Sequence, residues 1–213
     1  MLALIFEDVG HSRLRYNNHN LVKIGSAPMA LTPSNMLALG TKAPNFELLD
    51  TKSGNVCSLT SLKSAKATVI MFICNHCPYV KHIQTELIRL AADYQAKGIA
   101  FIAISSNDVE NYPEDAPQEM AKLAKQLNYP FPYLYDETQS TAKNYQAACT
   151  PDFFVFDKDL HCVYRGQLDD STPNNKIPVT GKALRAALDN ILMDKPVGSE
   201  QKPSIGCNIK WKH

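Results

Sequence analysis

The chain carries almost no net charge: 22 lysines and arginines against 21 acids leave a formal +1 over 213 residues. That balance offers no electrostatic footing for nucleic acid or for an anionic membrane surface. Long apolar runs are missing too, and no stretch approaches the ~20 residues a membrane span requires. Met1 to Phe6 is apolar, but Glu7 and Asp8 close it at once, and no basic leader precedes it. The start therefore does not read as a secretory signal, and a cytoplasmic protein without a membrane partner is the default expectation. Six cysteines are too few for a disulfide-stapled scaffold. No second Cys-x-x-Cys and no His-x-x-x-His is present to complete a structural metal site. Domain-scale repeats and low-complexity segments are absent as well.

What remains is an ordinary globular composition, 45% hydrophobic and 20% charged, in a chain long enough for one domain with extensions. Residues 1–37 show no sustained periodicity and are expected to form a flexible extension. Within it, Met36 opens a repeat of the first four residues, so Met1 and Met36 both stand as possible natural starts. From residue 38 to 194 the pattern is that of a folded domain, and residues 195–213 are expected to pack as a tail on or near it. Phe46 to Leu49 and Val56 to Leu59 flank a turn-rich segment and read as a β-hairpin. Thr68 to Ile73 is continuously apolar and β-branched, as a strand buried on both faces should be. Val80, Ile83, Leu87, Ile88, Ala91 and Tyr94 recur at helical spacing from about Pro78 to Lys97, ahead of a second buried strand, Ile99 to Ile104. Strand, long crossover and strand make a parallel βαβ unit. Helices over 118–127 and 138–148, strands over 153–156 and 161–164, and a helix over 181–193 follow.

The chemistry concentrates at the first junction of that unit. Cys74 and Cys77, spaced Cys-x-x-Cys, lie where the buried strand meets the helix. The spacing suits a small disulfide that opens and closes, and a helix start stabilises a thiolate. Pro78 favours the first helical position, and the residue before a proline avoids helical geometry. These two preferences put Cys77 at the N-cap and Cys74 in the approach loop. His76, between them, favours the thiolate and so a more oxidising couple.

The order of elements resembles a thioredoxin fold: an α/β domain with a central mixed sheet flanked by helices, here with an added N-terminal β-hairpin. Two motifs carry the resemblance, Cys74-Asn-His-Cys77 and Thr150-Pro151, the latter similar to the Thr/cis-Pro loop that faces the active cysteines in that superfamily. Gly40-Thr-Lys-Ala-Pro-Asn-Phe-Glu-Leu is similar to the entry of the AhpC/TSA-like redoxins. The resemblance implies a thiol–disulfide oxidoreductase with no bound cofactor. Its partners would be protein or small-molecule thiols and disulfides, and a reducing system such as thioredoxin or glutathione. Cys74 and Cys77 would be catalytic and His76 would tune them. The backbone at Thr150 and Pro151 would pair with an extended substrate chain.

Some alternatives stay open. In the thioredoxin pattern Cys74 attacks; in the peroxiredoxin pattern, where a cysteine precedes a proline at the helix start, Cys77 does. A peroxiredoxin-like peroxidase is the second reading, although Ile70 and Cys74 stand where peroxiredoxins carry a proline and a threonine. A non-catalytic or metal-binding module is the third. Thr68 occupies the place where thioredoxins bury an acid. Cys149, beside the Thr-Pro loop, and Cys207, in the tail, are candidate extra redox thiols, whereas Cys57 and Cys162 read as packing.

Overall fold

The computed structural model describes residues 31–212, so positions 1–30 of the expected extension, Met1 included, lie outside it. In chain order the elements are β1 (Leu31–Pro33), β2 (Glu47–Asp50), β3 (Val56–Ser58), α1 (Leu59–Leu62), β4 (Ala67–Phe72) and α2 (Pro78–Gln95). Then come β5 (Ile99–Ser105), α3 (Pro117–Gln126), β6 (Tyr133–Tyr135), α4 (Ser140–Asn144) and β7 (Cys149–Thr150). The chain finishes with β8 (Asp152–Asp157), β9 (Cys162–Gly166), α5 (Lys182–Leu192) and β10 (Ile205–Asn208).

Seven strands make the central sheet in the order β3-β2-β6-β5-β4-β8-β9. β4, β5 and β6 run parallel and the outer pairings are antiparallel, giving the mixed sheet of a thioredoxin fold. The β2–β3 pair is the expected hairpin. All six side chains of β4 are buried, because the strand has neighbours on both edges and helices on both faces. Strand alternation sends Val69, Met71 and Ile73 into one core with Leu87 and Leu90 of α2, Met120 of α3 and Leu184 of α5. Ile70 and Phe72 face the other way, toward Leu59 of α1, Ala142 of α4, Phe154 and Phe156. Each such side chain removed from water contributes about 1.5–3 kcal/mol. The parallel β4–β5 pair thus has its C-terminal ends fixed from both sides, and those ends carry the two loops that build the site.

Three elements differ from the sequence reading. The helix expected over 138–148 shortens to Ser140–Asn144, since Gln139 (φ 61°) and Gln146 (φ 53°) adopt left-handed backbone at either side of it. Residues 31–33, assigned to the extension, form β1. The tail, to which no element is assigned from the sequence, contains β10, which pairs with β1 on one edge and with β7 on the other, forming a separate three-stranded sheet. A strand of four residues interrupted by Gly206 carries too little alternation to announce itself.

Candidate active site

Cys77 is the N-cap of α2, in extended geometry (φ −64°, ψ 122°), with Pro78 in the first turn. This is the placement that the proline preferences dictate. Cys74 sits upstream in the loop that leaves β4. Both sulfurs face the loop between β7 and β8, whose Thr150–Pro151 peptide bond is cis. The Cys74 sulfur lies 3.4 Å from Thr150 Oγ1, and the Cys77 sulfur lies 3.2 Å from the Thr150 carbonyl oxygen. The Cys-x-x-Cys pair is in its dithiol form.

A third sulfur joins them. β10 pairs with β7 in a register that sets Cys207 opposite Thr150. Cys207 Sγ lies 2.8 Å from Cys77 Sγ, longer than the about 2.05 Å of an S–S bond. The close approach depends on Gly206, where a Cβ would collide with the Thr150 carbonyl oxygen. The Thr150 backbone, expected to pair with an extended substrate chain, pairs here with the protein's own strand. Cysteines 74, 77 and 207 are 2%, 0% and 2% exposed. A cleft lined by Tyr79, Ile83, Pro151, Ser171 and Ile205 opens beside the same loop.

The three thiols do not share charge equally. Hydrogen bonds from Cys207 and from Cys74 hold Cys77 far below the usual thiol range, with help from the Val80 backbone N–H in the first turn of α2. A hydrogen bond with Thr150 acts in the same direction, and burial opposes these bonds without outweighing them. Cys74 is pushed up by burial, by its bond to Cys77 and by the nearby Asp115 carboxylate. Cys207 is pushed up by the bond to Cys77 and by burial. Negative charge therefore settles on Cys77, between two protonated neighbours.

Asp115, which the sequence reading did not single out, organises the other side. It is fully buried at the end of the loop that follows β5. Its Oδ1 accepts from the backbone N–H groups of Asn75 (2.7 Å) and His76 (3.3 Å). Its Oδ2 accepts from Asn107 Nδ2 at 2.8 Å and lies 2.6 Å from His76 Nδ1. The carboxylate thus fixes both the Cys-x-x-Cys loop and the imidazole, which stacks on Tyr112. His76 Nε2 is buried with no hydrogen-bond partner. Cys74 Sγ, a His76 ring nitrogen and an Asp115 oxygen lie within 4.8 Å of one another. This is the one group with metal-ligating side chains among the described residues, and its carboxylate already serves four N–H donors.

Of the remaining candidates, Cys149 is buried in β7, its thiol donates to the Pro151 carbonyl at 3.6 Å, and burial pushes its pKa far up. Cys162 packs in the core, and Cys57 lies at the hairpin edge. Asp152, next to the cis-proline, was also missed. It is fully buried, accepts from Ser34 Oγ at 3.1 Å, and leaves Oδ1 unpartnered. Burial raises its pKa to about 7 against the opposing pull of Ser34, the Ala148 N–H and Ser204. No sequence signal marks Asp115 or Asp152, except that loops at the C-terminal ends of parallel strands are where α/β folds build sites.

A mixed sheet with a Cys-x-x-Cys helix start facing a cis-proline loop defines a thioredoxin-fold redoxin. The profile of the AhpC/TSA family matches residues 39–165, and the chain belongs to that family. Among solved structures it is similar to an uncharacterized conserved protein from Geobacillus kaustophilus. The two are 64% identical over 87% of this chain and 98% of that one, with a TM-score of 0.86. A hypothetical protein from Sinorhizobium meliloti is 48% identical over 85% of this chain and 98% of that one, with a TM-score of 0.83. The thioredoxin domain of a thiol-disulfide oxidoreductase from Bacteroides vulgatus shares the fold at 17% identity, covering 70% of this chain and 97% of that one, with a TM-score of 0.53. No curated protein matches. No helix among the described residues is long and apolar enough to cross a membrane.

Proposed function

We propose that this protein is a thiol–disulfide oxidoreductase that works by exchange through Cys74 and Cys77, with Cys77 as the attacking sulfur. The observation that carries the reading is the thiolate environment of Cys77, placed at the start of α2 and flanked by thiol donors. Cys77 attacks a substrate disulfide to form a mixed disulfide and releases one substrate thiolate. Cys74 then attacks the Cys77 sulfur and releases the second, leaving the Cys74–Cys77 disulfide. Cys74 is held protonated, so it must lose its proton first. His76, oriented by Asp115 and with a free ring nitrogen, is the group placed to take it. The substrates are protein or small-molecule disulfides, and a dithiol or glutathione system returns the pair to its reduced form.

Catalysed reduction of insulin by dithiothreitol tests the proposal. The wild type should accelerate it, and Cys77→Ser should abolish the acceleration; wild-type rates equal to background would refute the reading. A cysteine–proline helix start also favours a thiol peroxidase. Arg165, the arginine beyond the late strand, is engaged elsewhere: it donates to the Leu37 carbonyl and to Gln201. Peroxide consumption by the reduced protein is therefore expected to be slow.

A further inference from the structure

Cys207 is a buried member of the core that holds Val80 and Ile83 of α2, but packing does not require a thiol there. A buried strand residue serves as well as Ala or Val, yet here a thiol approaches the most acidic sulfur of the site. The strand that carries it is held with care. β10 is paired on both edges, by Leu31↔Cys207 to β1 and by Cys207↔Thr150 to β7. Beyond it, the Lys210 N–H donates to Asn107 Oδ1 at 2.9 Å, and Asn107 Nδ2 donates to the same Asp115 oxygen that holds His76. Gln139 Nε2 donates to the Lys210 carbonyl at 2.8 Å, and the Lys212 N–H donates to Gln139 Oε1 at 2.9 Å. Gly206 is the residue that lets the strand approach the Thr150 backbone closely enough for the two sulfurs to meet.

We infer that Cys207 is a third redox thiol, so that Cys77 is the shared sulfur of two alternative disulfides, Cys74–Cys77 and Cys77–Cys207. The inference rests on the exchange reading above and extends it. After Cys77 has formed a mixed disulfide with a substrate, the Cys207 sulfur attacks Cys77 Sγ. The Cys77–substrate bond breaks, the substrate sulfur leaves with the electron pair, and the proton from Cys207 passes to it. A Cys77–Cys207 disulfide remains, and two electrons have gone to the substrate disulfide. Cys74, once deprotonated, can attack Cys77 in turn. That step forms Cys74–Cys77, returns Cys207 to the thiol, and changes no oxidation state. The strand pairing supplies what exchange needs most, a nucleophile delivered to one chosen sulfur. Formation of Cys77–Cys207 also ties β10 covalently to the Thr150 edge that it already covers in the dithiol form, whereas Cys74–Cys77 leaves that pairing to hydrogen bonds alone.

The test uses full-length Cys74→Ser, Cys207→Ser and the double variant, each reduced and then exposed to oxidised glutathione. Disulfides are mapped by mass spectrometry after non-reducing digestion. In Cys74→Ser, the peptides holding Cys77 and Cys207 should be joined and Cys207 should lose its reactivity toward iodoacetamide. In the double variant, the glutathione adduct on Cys77 should accumulate. The inference is overturned if Cys74→Ser stops at the glutathione adduct with Cys207 still a thiol. Circular dichroism, with Cys74→Ala as a second variant, confirms that a negative result comes from folded protein. Cys207→Ser separates the two levels of the account. If it forms Cys74–Cys77 while Cys74→Ser stops at the adduct, only the role of Cys207 falls. If Cys207→Ser fails to form Cys74–Cys77, the exchange reading itself falls.

Discussion

Asp152→Asn should remove a pH dependence from the stability of the whole fold, by an amount the structure allows to be worked out. The side chain is fully buried between the cis-proline loop and Ser34, and its pKa is raised to about 7 by burial. In the unfolded chain a carboxyl titrates near pH 3.9. Below that, both states hold the proton and the group has no effect. As pH rises from about 4 to about 7, the unfolded chain gives up the proton and the folded one keeps it, so stability falls. At about 1.36 kcal/mol for each pKa unit, the loss reaches ~4 kcal/mol by pH 7 and then levels off. Asn has nearly the same shape and never ionises. Its amide could not be satisfied at the unpartnered Oδ1 position, which adds a pH-independent cost of about 1–3 kcal/mol. Urea unfolding of wild type and variant from pH 4 to 8 isolates the effect, because every other titrating group cancels in the difference. The variant should gain on the wild type across the window by several kcal/mol, whatever the constant offset. A difference that stays flat with pH would show that Asp152 is not held protonated, and the account of this loop would be wrong.

Other expectations follow from the same site. Thiolate ultraviolet absorbance of the reduced protein should persist well into acid and vanish in Cys77→Ser; a wild-type transition near the ordinary thiol value of about 8.5 would contradict it. The sign for stability is opposite to that of Asp152. Because Cys77 is lowered in the fold, its contribution to the reduced protein grows with pH up to about 8.5 and fades as acid approaches the folded value. A stabilised thiolate makes the couple more oxidising, so a glutathione titration should give a potential above the about −270 mV of thioredoxin; a value at or below it would contradict the account. Gly206→Ala should cost about 1–3 kcal/mol through overpacking against Thr150. It should also raise the iodoacetamide reactivity of Cys207 as β10 is forced off β7.

The parts of this fold that were legible share one cause: a local pattern that tertiary structure does not overrule. The apolar run around Ile70 and the spacing of Val80, Ile83 and Leu87 could mean only a buried strand and an amphipathic helix. Pro78 located the helix start to the residue, and with it the N-cap position of Cys77. The Thr150–Pro151 bond was read from a two-residue motif plus its place before a strand, and it is cis. What was not legible is what depends on distant pairing. Asp115 lies in a polar loop that looks like any other, and it is the folding of that loop over the end of β4 that sets it against His76. β10 exists because β7 and β1 offer it two edges, and its own four residues do not require a strand. Cys207 reads from the sequence as a candidate redox thiol in the tail, but its proximity to Cys77 is a matter of register between strands far apart in sequence.

The account turns on which sulfur reacts, and one comparison addresses that most directly. Reduced Cys74→Ser/Cys207→Ser, in which Cys77 is the active-site sulfur retained, and reduced Cys77→Ser are mixed at neutral pH with oxidised glutathione, and the rate of adduct formation is followed by intact mass. The account predicts rapid formation of the adduct on Cys77 and little reaction in Cys77→Ser. Rapid modification of Cys74 in Cys77→Ser, with Cys77 unreactive in the other variant, would contradict it.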